Sequence, residues 1–429
     1  MRRLHRARDR RHDERFDQAL RRSAHFSVVT ASGPQRFGKY LLLHQVALGG
    51  MAEIFLAVEK NEHAGHRFVT IKRIRADFDR DDEYVQFFLT EGRVSLKCAH
   101  PNLPQAYELG EVDGCHYLAL EYIHGHTLLD VIREAALGRR SLAVSSVVHI
   151  GVGLAAALEH AHGLRDVDGE PLQIVHRDVT PQNVMLSVSG AVKLIDFGIV
   201  RSSVQTHRTE SGVVKGKFSY MAPETLDGSN RFDHRADIFG LGVVLHEALT
   251  GRSLFRGHDD QDTVDRIRGM RVPELTRLRA DLPAPLSAVI MHALERDPEH
   301  RFQTATDMLH ALERAAEESH IHHSMTRLRD EVLERCGVPL LPALPTQMRA
   351  LLREVAARGS TSVEEPGFDA AEQPSDRPTT PFGEEADQDL SQDPQLDYFL
   401  RQASGQRSKR SNTTVSDAEL TELLAALER

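Results

Sequence analysis

The chain of 429 residues has few cysteines and lacks an apolar run typical of a membrane span. Its three cysteines show no metal-ligand spacing, so neither a disulfide framework nor a cysteine-based metal site is predicted, and a reducing cytoplasm fits. The longest apolar stretch, 147–164, is interrupted by one glutamate and three histidines. We interpret it as a core helix rather than a bilayer span.

A basic surface of the kind that binds nucleic acid is also absent outside the first 25 residues. The formal net charge is −10, and residues 359–397 alone contain eleven acids and one arginine, so the remainder is close to neutral. The N-terminal cluster consists of the pairs Arg2-Arg3, Arg10-Arg11 and Arg21-Arg22, diluted by acids. We interpret it as a solvated flexible tail, with weak contact to an anionic surface as the alternative. No apolar stretch follows Arg2-Arg3, so a secretory signal is not expected.

What the chain does contain is a set of carboxylates and one amide around a predicted hairpin. Asp178, Asn183 and Asp196 occur on predicted loops at the ends of short strands. Apolar alternation over 184–188 predicts a strand, and Ser189-Gly190 predicts a two-residue turn into the next one. Asn183 and Asp196 therefore flank one hairpin. Two such oxygen ligands, sharing a cation with triphosphate oxygens and water, suit Mg²⁺.

The motifs that contain these residues resemble those of the eukaryotic-like, Hanks-type protein kinases, and most of all their bacterial Ser/Thr branch. His176-Arg-Asp178, Asn183 and then Asp196-Phe-Gly198 resemble the catalytic loop and the magnesium loop of that family. The resemblance implies an α+β, bilobal protein kinase fold, with a small β-rich N-lobe, a large mainly helical C-lobe and flexible tails. It also implies that ATP and Mg²⁺ are bound, that Asp178 accepts or orients the substrate hydroxyl proton, and that Asn183 and Asp196 hold the metal.

The same resemblance assigns a lysine and a glutamate upstream to the nucleotide site. The strand Val69–Ile74 carries Lys72, which would bind the α and β phosphates, and the next helix, 81–97, carries Glu91, which would orient that lysine. Gly92 follows directly, and a glycine inside a helix costs about 1 kcal/mol relative to alanine. An easily displaced regulatory helix is one interpretation of Gly92, and chance is the other.

The predicted phosphate-covering loop departs from the G-x-G-x-x-G pattern of the family. When the sequence is aligned on Ile54, alanines 47 and 52 occupy the first and third glycine positions, and Gly49, followed by Gly50, remains at the second. Gly49 is the position where the backbone comes closest to phosphate, so we expect a working loop with reduced nucleotide affinity. By resemblance, Glu121 and Ile123 offer backbone groups to the adenine base.

Residues 199–221 resemble an activation loop that closes at Ala222-Pro-Glu224. The segment contains Ser202, Ser203, Thr206, Thr209 and Ser211 among basic residues. Arg177 would be a cationic partner for a phosphate on this loop, so we predict autophosphorylation, at Thr209 or Ser211.

One pair of family positions is exchanged in this chain. The family has lysine two residues after the catalytic aspartate and threonine before the closing motif, whereas this chain has Thr180 and Lys217. We therefore assign Lys217 to the catalytic set with Asp178, Lys72 and Glu91, because its ammonium would replace the charge that Thr180 lacks. The alternative is that Lys217 faces solvent or binds a loop phosphate.

Two further matches to the family are structural, and they extend the resemblance to about residue 315. Asp237 matches the buried residue that supports the catalytic loop, and Arg301 matches the arginine that pairs with Glu224. Five segments are predicted: a basic flexible tail (1–36), a protein kinase domain (37–315), a helical C-terminal extension (316–358), an acidic disordered linker (359–415) and a short amphipathic helix (416–429).

The function predicted from these motifs is transfer of the ATP γ-phosphoryl group to serine or threonine hydroxyls of proteins. A pseudokinase that acts as a scaffold is the alternative, because the altered glycine-rich loop and Thr180 weaken the phosphate site. A small-molecule phosphotransferase is disfavoured by the Ala222-Pro-Glu224 closure. The terminal helix is expected to dock on this kinase or on a partner.

Overall fold

The computed structural model describes residues 34–61, 65–79, 81–138, 140–166, 168–197, 217–227 and 232–339. The chain divides into two units, one formed by 1–59 with 68–339 and the other by 60–67 with 340–429. Of the second unit, only the hairpin residues 60–61 and 65–67 are described. The predicted acidic linker, the predicted terminal helix and most of the predicted activation loop lie outside the described residues.

The N-terminal part of the described chain contains a six-stranded sheet of order β1-β2-β3-β4-β6-β5. Its strands are β1 Gln35–Phe37, β2 Tyr40–Leu48, β3 Ala52–Asn61, β4 Gly65–Ile74, β5 Ala106–Val112 and β6 Cys115–Glu121. Apolar Val69 and Ile71 alternate with polar Thr70 and Lys72 along β4, so both apolar side chains are fully buried, together with Ala119 of β6. This sheet is the predicted β-rich lobe.

Helix α1, Asp82–Lys97, is the one helix described in this lobe; it ends where the sequence predicts and begins one residue later. The Asp81 side chain caps it by accepting a hydrogen bond from the Glu83 backbone N–H at 3.1 Å. A Cβ atom placed on Gly92 would lie 2.6 Å from Leu109 Cδ1, so glycine lets α1 approach β5 closely. Gly92 therefore has a packing role, which the sequence did not indicate.

The C-terminal part is mainly helical. Its helices are α2 Leu128–Leu137, α3 Val144–His162, α4 Arg235–Thr250, α5 Asp260–Gly269, α6 Leu275–Leu278, α7 Ala284–Ala293, α8 Ala305–Glu318 and α9 Met325–Cys336. Short 3₁₀ turns occur at Pro181–Asn183, Lys217–Tyr220, Pro223–Leu226 and Pro298–His300. The predicted end of the kinase domain, between 315 and 316, falls inside α8, which continues for three more residues.

Helices α3 and α4 form the centre of this lobe. Helix α3 is long and apolar enough to span a membrane by length and composition alone, but Ile150, Leu154 and Leu158 are fully buried in the lobe. The stretch interpreted as a core helix is therefore packed in the core. Residues 236–249 of α4 are all buried, as expected for a helix surrounded by others.

A second sheet, of order β7-β8-β9, lies in the same lobe and carries the predicted hairpin. Its strands are β7 Gly125–Thr127, β8 Val184–Ser187 and β9 Val192–Leu194. The predicted two-residue turn is wrong. The Ser187 backbone N–H donates to Ala191 O at 2.9 Å, so the turn contains the three residues between them. The Val188 N–H donates to His124 O, outside the turn. Gly190 completes this longer turn in a left-handed conformation, with φ of 93°.

Candidate active site

An ammonium group held by two carboxylates lies between the two lobes. Lys72, on β4, pairs with Glu91 of α1, and its Nζ lies 3.0 Å from Asp196 Oδ1. Burial alone would lower the pKa of Lys72, but the negative charges of Asp196 and Glu91 outweigh burial and raise it above its ordinary value. The structure thus brings these three predicted residues together, with the Lys72 ammonium at the centre.

The catalytic-loop residues form a second group beside the hairpin. The Asn183 side-chain N–H₂ donates to Asp178 Oδ2 at 2.6 Å and to Asp178 O at 2.9 Å. The Asn183 backbone O accepts from the Ile195 N–H at 2.8 Å, which joins the loop to the segment that carries Asp196. Since the nitrogen of the Asn183 side chain faces Asp178, its oxygen is the atom left for a cation.

A buried carboxylate at the start of α4, that of Asp237, holds the catalytic loop in place. Asp237 accepts hydrogen bonds from the backbone N–H groups of His176 and Arg177, each at 2.7 Å, and from His162 Nε2 at 2.8 Å. Burial would raise the pKa of Asp237, but the hydrogen bond from His162 and the backbone donors outweigh burial and hold it below its ordinary value. Asp237 supports the catalytic loop, as the sequence predicts, whereas the sequence did not indicate the contribution of His162.

Two residues of the site have a left-handed backbone that is uncommon without glycine. Arg177 has φ of 66° and Asp196 has φ of 58°. Such a conformation costs about 1–3 kcal/mol per residue and persists only where the surroundings impose it. The hydrogen bond from Arg177 N to Asp237 is one such constraint. The site therefore depends on its support from α4.

The predicted phosphate-covering loop is a tight turn between β2 and β3. The Gly49 N–H donates to Ala52 O at 2.8 Å, and a Cβ atom on Gly49 would lie 3.1 Å from that oxygen. Arg75 Nη1 lies 3.4 Å from Gly49 O and 3.3 Å from Gly50 O. Ile54 lies on β3, opposite alanine 47. The family motifs did not indicate the contact of Arg75 with these loop carbonyls.

The predicted adenine-binding segment follows β6. The Glu121 backbone N–H donates to Gln105 O at 2.8 Å, and Ile123 lies two residues beyond the end of the strand. The Glu121 side chain is also engaged, since its Oε2 accepts from Lys193 Nζ of β9 at 2.7 Å. This ion pair links the adenine-binding segment to the predicted hairpin, and the sequence did not indicate it.

The remaining predicted positions lie around the closing motif. Arg301 is fully buried and forms a bidentate pair with Glu224, with both N–O distances 2.7 Å. The Thr180 hydroxyl is buried and has no hydrogen-bond partner among the described residues. Lys217 lies at the start of a 3₁₀ turn, and the described residues do not include its side chain.

Comparison with known proteins gives the family. The profile described as protein kinase domain matches residues 40–312, within the predicted domain of 37–315. The chain belongs to the protein kinase family. Protein kinases from bacteria resemble it in sequence, including the tyrosine-protein kinase MasK of Myxococcus xanthus, 39% identical over 279 residues, 65% of this chain and 43% of MasK.

Two bacterial Ser/Thr protein kinases and one solved kinase domain extend the comparison. PrkC of Bacillus subtilis is 29% identical, over 72% of this chain and 45% of PrkC, and PknB of Mycolicibacterium smegmatis is 33% identical, over 63% of this chain and 42% of PknB. The kinase domain of Mycobacterium tuberculosis PknI is 26% identical, with a TM-score of 0.50 over 67% of this chain and all of that domain. The predicted bacterial Hanks-type family and bilobal fold are confirmed, and the chain spans less than half the length of these curated relatives.

Proposed function

We propose that this protein kinase transfers the γ-phosphoryl group of ATP to serine or threonine hydroxyls of proteins. The observation that carries the proposal is the continuous set Glu91–Lys72–Asp196, which lies in the same unit as the Asp178–Asn183 pair. Positioning and charge stabilisation supply most of the catalysis in phosphoryl transfer. Lys72 would bind the phosphates, and Asp178 would accept or orient the hydroxyl proton of the substrate.

The donor set fits Mg²⁺, which protein kinases generally use together with ATP. Within the described ranges, no group of three or more His, Cys, Asp and Glu side chains could hold a metal ion. Mg²⁺ needs no such cage, because it is bound through one or two protein oxygens with phosphate and water completing its shell. Asn183 and Asp196 would hold the ion, which would neutralise charge on the phosphates.

The test is phosphoryl transfer from labelled ATP to a generic basic protein. Asp178→Asn keeps the size of the side chain and removes the proton acceptor, so we expect transfer to fall at least about a hundredfold. Asp281→Asn is the matched control, because Asp281 is exposed and bonded to Arg279. Equal transfer by the Asp178→Asn and Asp281→Asn variants would refute the assignment of Asp178.

A pseudokinase is the second candidate, favoured by the alanines in the phosphate-covering loop and by Thr180. It would bind Mg·ATP without transferring phosphate to the basic protein or to itself. Nucleotide titration alongside the transfer assay distinguishes the two functions.

Tyrosine is a second candidate acceptor. Thr180 replaces the lysine of the Ser/Thr signature, and MasK is named a tyrosine-protein kinase. Phosphoamino-acid analysis of the labelled product, with serine, threonine and tyrosine separated, decides between the acceptors.

Activation-loop autophosphorylation is part of the proposal. The Arg177 guanidinium lies 5.2 Å from the Phe232 ring centroid, next to the catalytic loop, and would be one partner for a loop phosphate. We expect modification at Thr209 or Ser211 after incubation with Mg·ATP. Phosphopeptide mapping of an active enzyme that found 199–221 unmodified would contradict it.

Localisation and partners are further parts of the proposal. The three cysteines are free thiols, which supports a reducing cytoplasm. Protein substrates, and docking of 416–429 on this kinase or on a partner, stay proposals that cell fractionation and co-purification would test.

A further inference from the structure

One small sheet connects the adenine-binding segment to the metal-binding hairpin. Strand β7 begins two residues after Ile123 and pairs with β8, with Gly125 opposite Ser187 and His126 opposite Leu186. Strand β8 directly follows Asn183, and β9 ends two residues before Asp196. A contact that fixes this sheet therefore fixes both parts of the nucleotide site.

Helix α9 lies beyond the region that matches the kinase family, yet it belongs to the core of the large lobe. The family match ends at residue 312, whereas Leu328 and Val332 of α9 are fully buried. The Ala143 backbone N–H donates to Glu331 Oε1 at 3.0 Å, and Arg335 Nη2 donates to Ser141 O at 3.0 Å. These contacts attach α9 to the connection between α2 and α3.

Both ends of α9 reach the small sheet. At the first end, a Cβ atom on Gly190 would lie 2.1 Å from Met325 O, so the turn of the hairpin touches the backbone of α9. Beyond the other end, His126 Nε2 lies 3.0 Å from Gly337 O. Because a carbonyl oxygen can only accept, the His126 ring nitrogen is the donor.

We infer that residues 325–339 are a positioning element of the nucleotide site. The bond from His126 to Gly337 fixes the exit of the adenine-binding segment, and the contact of Met325 with Gly190 fixes the hairpin between Asn183 and Asp196. The inference rests on the proposed function, since it concerns the binding of Mg·ATP. Any event that shifts α9 changes nucleotide affinity while the catalytic side chains stay intact.

The first test uses the full chain and a matched pair of variants at His126. His126→Phe keeps a planar ring and removes the donor, while His126→Gln keeps a donor near the position of Nε2. One hydrogen bond corresponds to about a 2- to 10-fold change in affinity. Calorimetric titration with Mg·ATP should show binding weakened by that factor in the phenylalanine variant and restored in the glutamine variant. The turnover rate at saturating ATP should stay within about twofold of wild type, because the inference concerns binding.

The second test changes a residue in the turn of the hairpin. Gly190→Ala places a methyl group against α9, whereas Gly169, with a similar φ of 85°, has no atom within 4 Å of its Cβ position. Gly169→Ala therefore carries the same backbone strain without the contact. We expect weaker Mg·ATP binding in the Gly190 variant and wild-type binding in the Gly169 variant.

The outcomes separate the inference from the proposed function. If wild type binds Mg·ATP, and His126→Phe and Gly190→Ala bind it equally well, residues 325–339 have no positioning role. If wild type binds no Mg·ATP, the proposed function fails, and the inference fails with it.

Discussion

Lys72 is the residue whose removal should affect the site most cleanly, because it bridges two carboxylates that belong to different elements. We expect Lys72→Met to abolish phosphoryl transfer while the protein stays folded, and Asp196→Asn to do the same. Lys39→Met is the control, since Lys39 also bridges two carboxylates, Glu59 at 2.9 Å and Glu108 at 2.5 Å, on the N-lobe sheet. Transfer assays and thermal unfolding on the same samples check both statements. Full activity in Lys72→Met would refute the phosphate role.

The exchanged pair leads to a prediction about turnover. If Lys217 supplies the ammonium that Thr180 cannot, Lys217→Ala should remove about 2 to 4 kcal/mol of transition-state stabilisation. The turnover rate should then fall roughly 30- to 1000-fold, while the KM for ATP changes little. Placement supports the idea, because a Cβ atom on Gly240 of α4 would lie 3.3 Å from Val179 O and 3.5 Å from Tyr220 O. The turn that begins at Lys217 therefore lies near the catalytic loop.

The control for that prediction restores the family arrangement. Thr180→Lys combined with Lys217→Thr should recover much of the lost turnover, while Thr180→Lys alone should not improve on wild type. Steady-state kinetics with an unchanged turnover rate in Lys217→Ala would mean that this lysine faces solvent or binds a loop phosphate.

The site residues that could be predicted are those that lie in motifs of the family, including Arg301 and Glu224, which pair across 77 residues. Asp178 and Asn183 lie five residues apart, so the sequence displays them together. His162 and Asp237 meet across 75 residues, and Lys193 meets Glu121 across 72. Histidine and lysine are common residue types, and only the packed core brings these partners together. Local spacing therefore predicts the chemical groups, and long-range packing determines what supports them.

At the scale of elements, the contact between α1 and β5 predicts that Gly92→Ala destabilises the protein, although alanine is the better helix former. Gly92→Ala should gain about 1 kcal/mol in helix propensity. Overpacking against Leu109 costs about 1–3 kcal/mol, so we expect a net loss of up to about 2 kcal/mol in the free energy of unfolding. Denaturant titration measures it, and activity should fall as well because Glu91 moves with the helix.

A double variant separates the gain in helix propensity from the cost of overpacking. In a Leu109→Ala background the obstacle is gone, so Gly92→Ala should become stabilising by up to about 1 kcal/mol. If Gly92→Ala has the same effect in both backgrounds, the close contact does not explain the glycine.

Elements also differ in how far sequence predicts them. Helix α1 was predictable because Asp81 caps it and acids fill its first turn. The turn of the hairpin was not, since three hydrogen bonds decide it. The Val188 N–H donates to His124 O, and the Ser187 hydroxyl accepts from the backbone N–H groups of Ser189 and Ala191. The first partner is 64 residues away, beyond the reach of turn statistics.

For the whole molecule, a buried histidine predicts loss of stability in acid. His246 of α4 is buried, and neither ring nitrogen has a hydrogen-bond partner among the residues that the structure describes. Burial lowers the pKa of His246 to about 4. Between pH 6.5 and 4 the unfolded chain binds a proton that the folded chain excludes. The free energy of unfolding should therefore fall by about 1.4 kcal/mol for each pH unit in that range.

The measurement compares unfolding at pH 7 and pH 5. Wild type should lose about 2 kcal/mol more than His246→Leu over this interval, because the leucine variant has no proton to bind. His310→Leu, at an exposed position on α8, should keep the wild-type pH dependence. Equal losses in wild type and His246→Leu would show that this histidine does not limit acid stability.

The support of the catalytic loop by Asp237 also orders events in time as the chain is made. Asp237 follows Arg177 by 60 residues, so a ribosome that adds about 5–20 residues per second completes the loop roughly 3–12 seconds before its supporting carboxylate exists. During that interval the N–H groups of His176 and Arg177 lack their acceptor, and nothing from α4 holds the left-handed Arg177. A nascent chain therefore carries the complete catalytic-loop motif without its geometry, and the phosphoryl transfer that we propose requires the core helix of the large lobe to have emerged and folded.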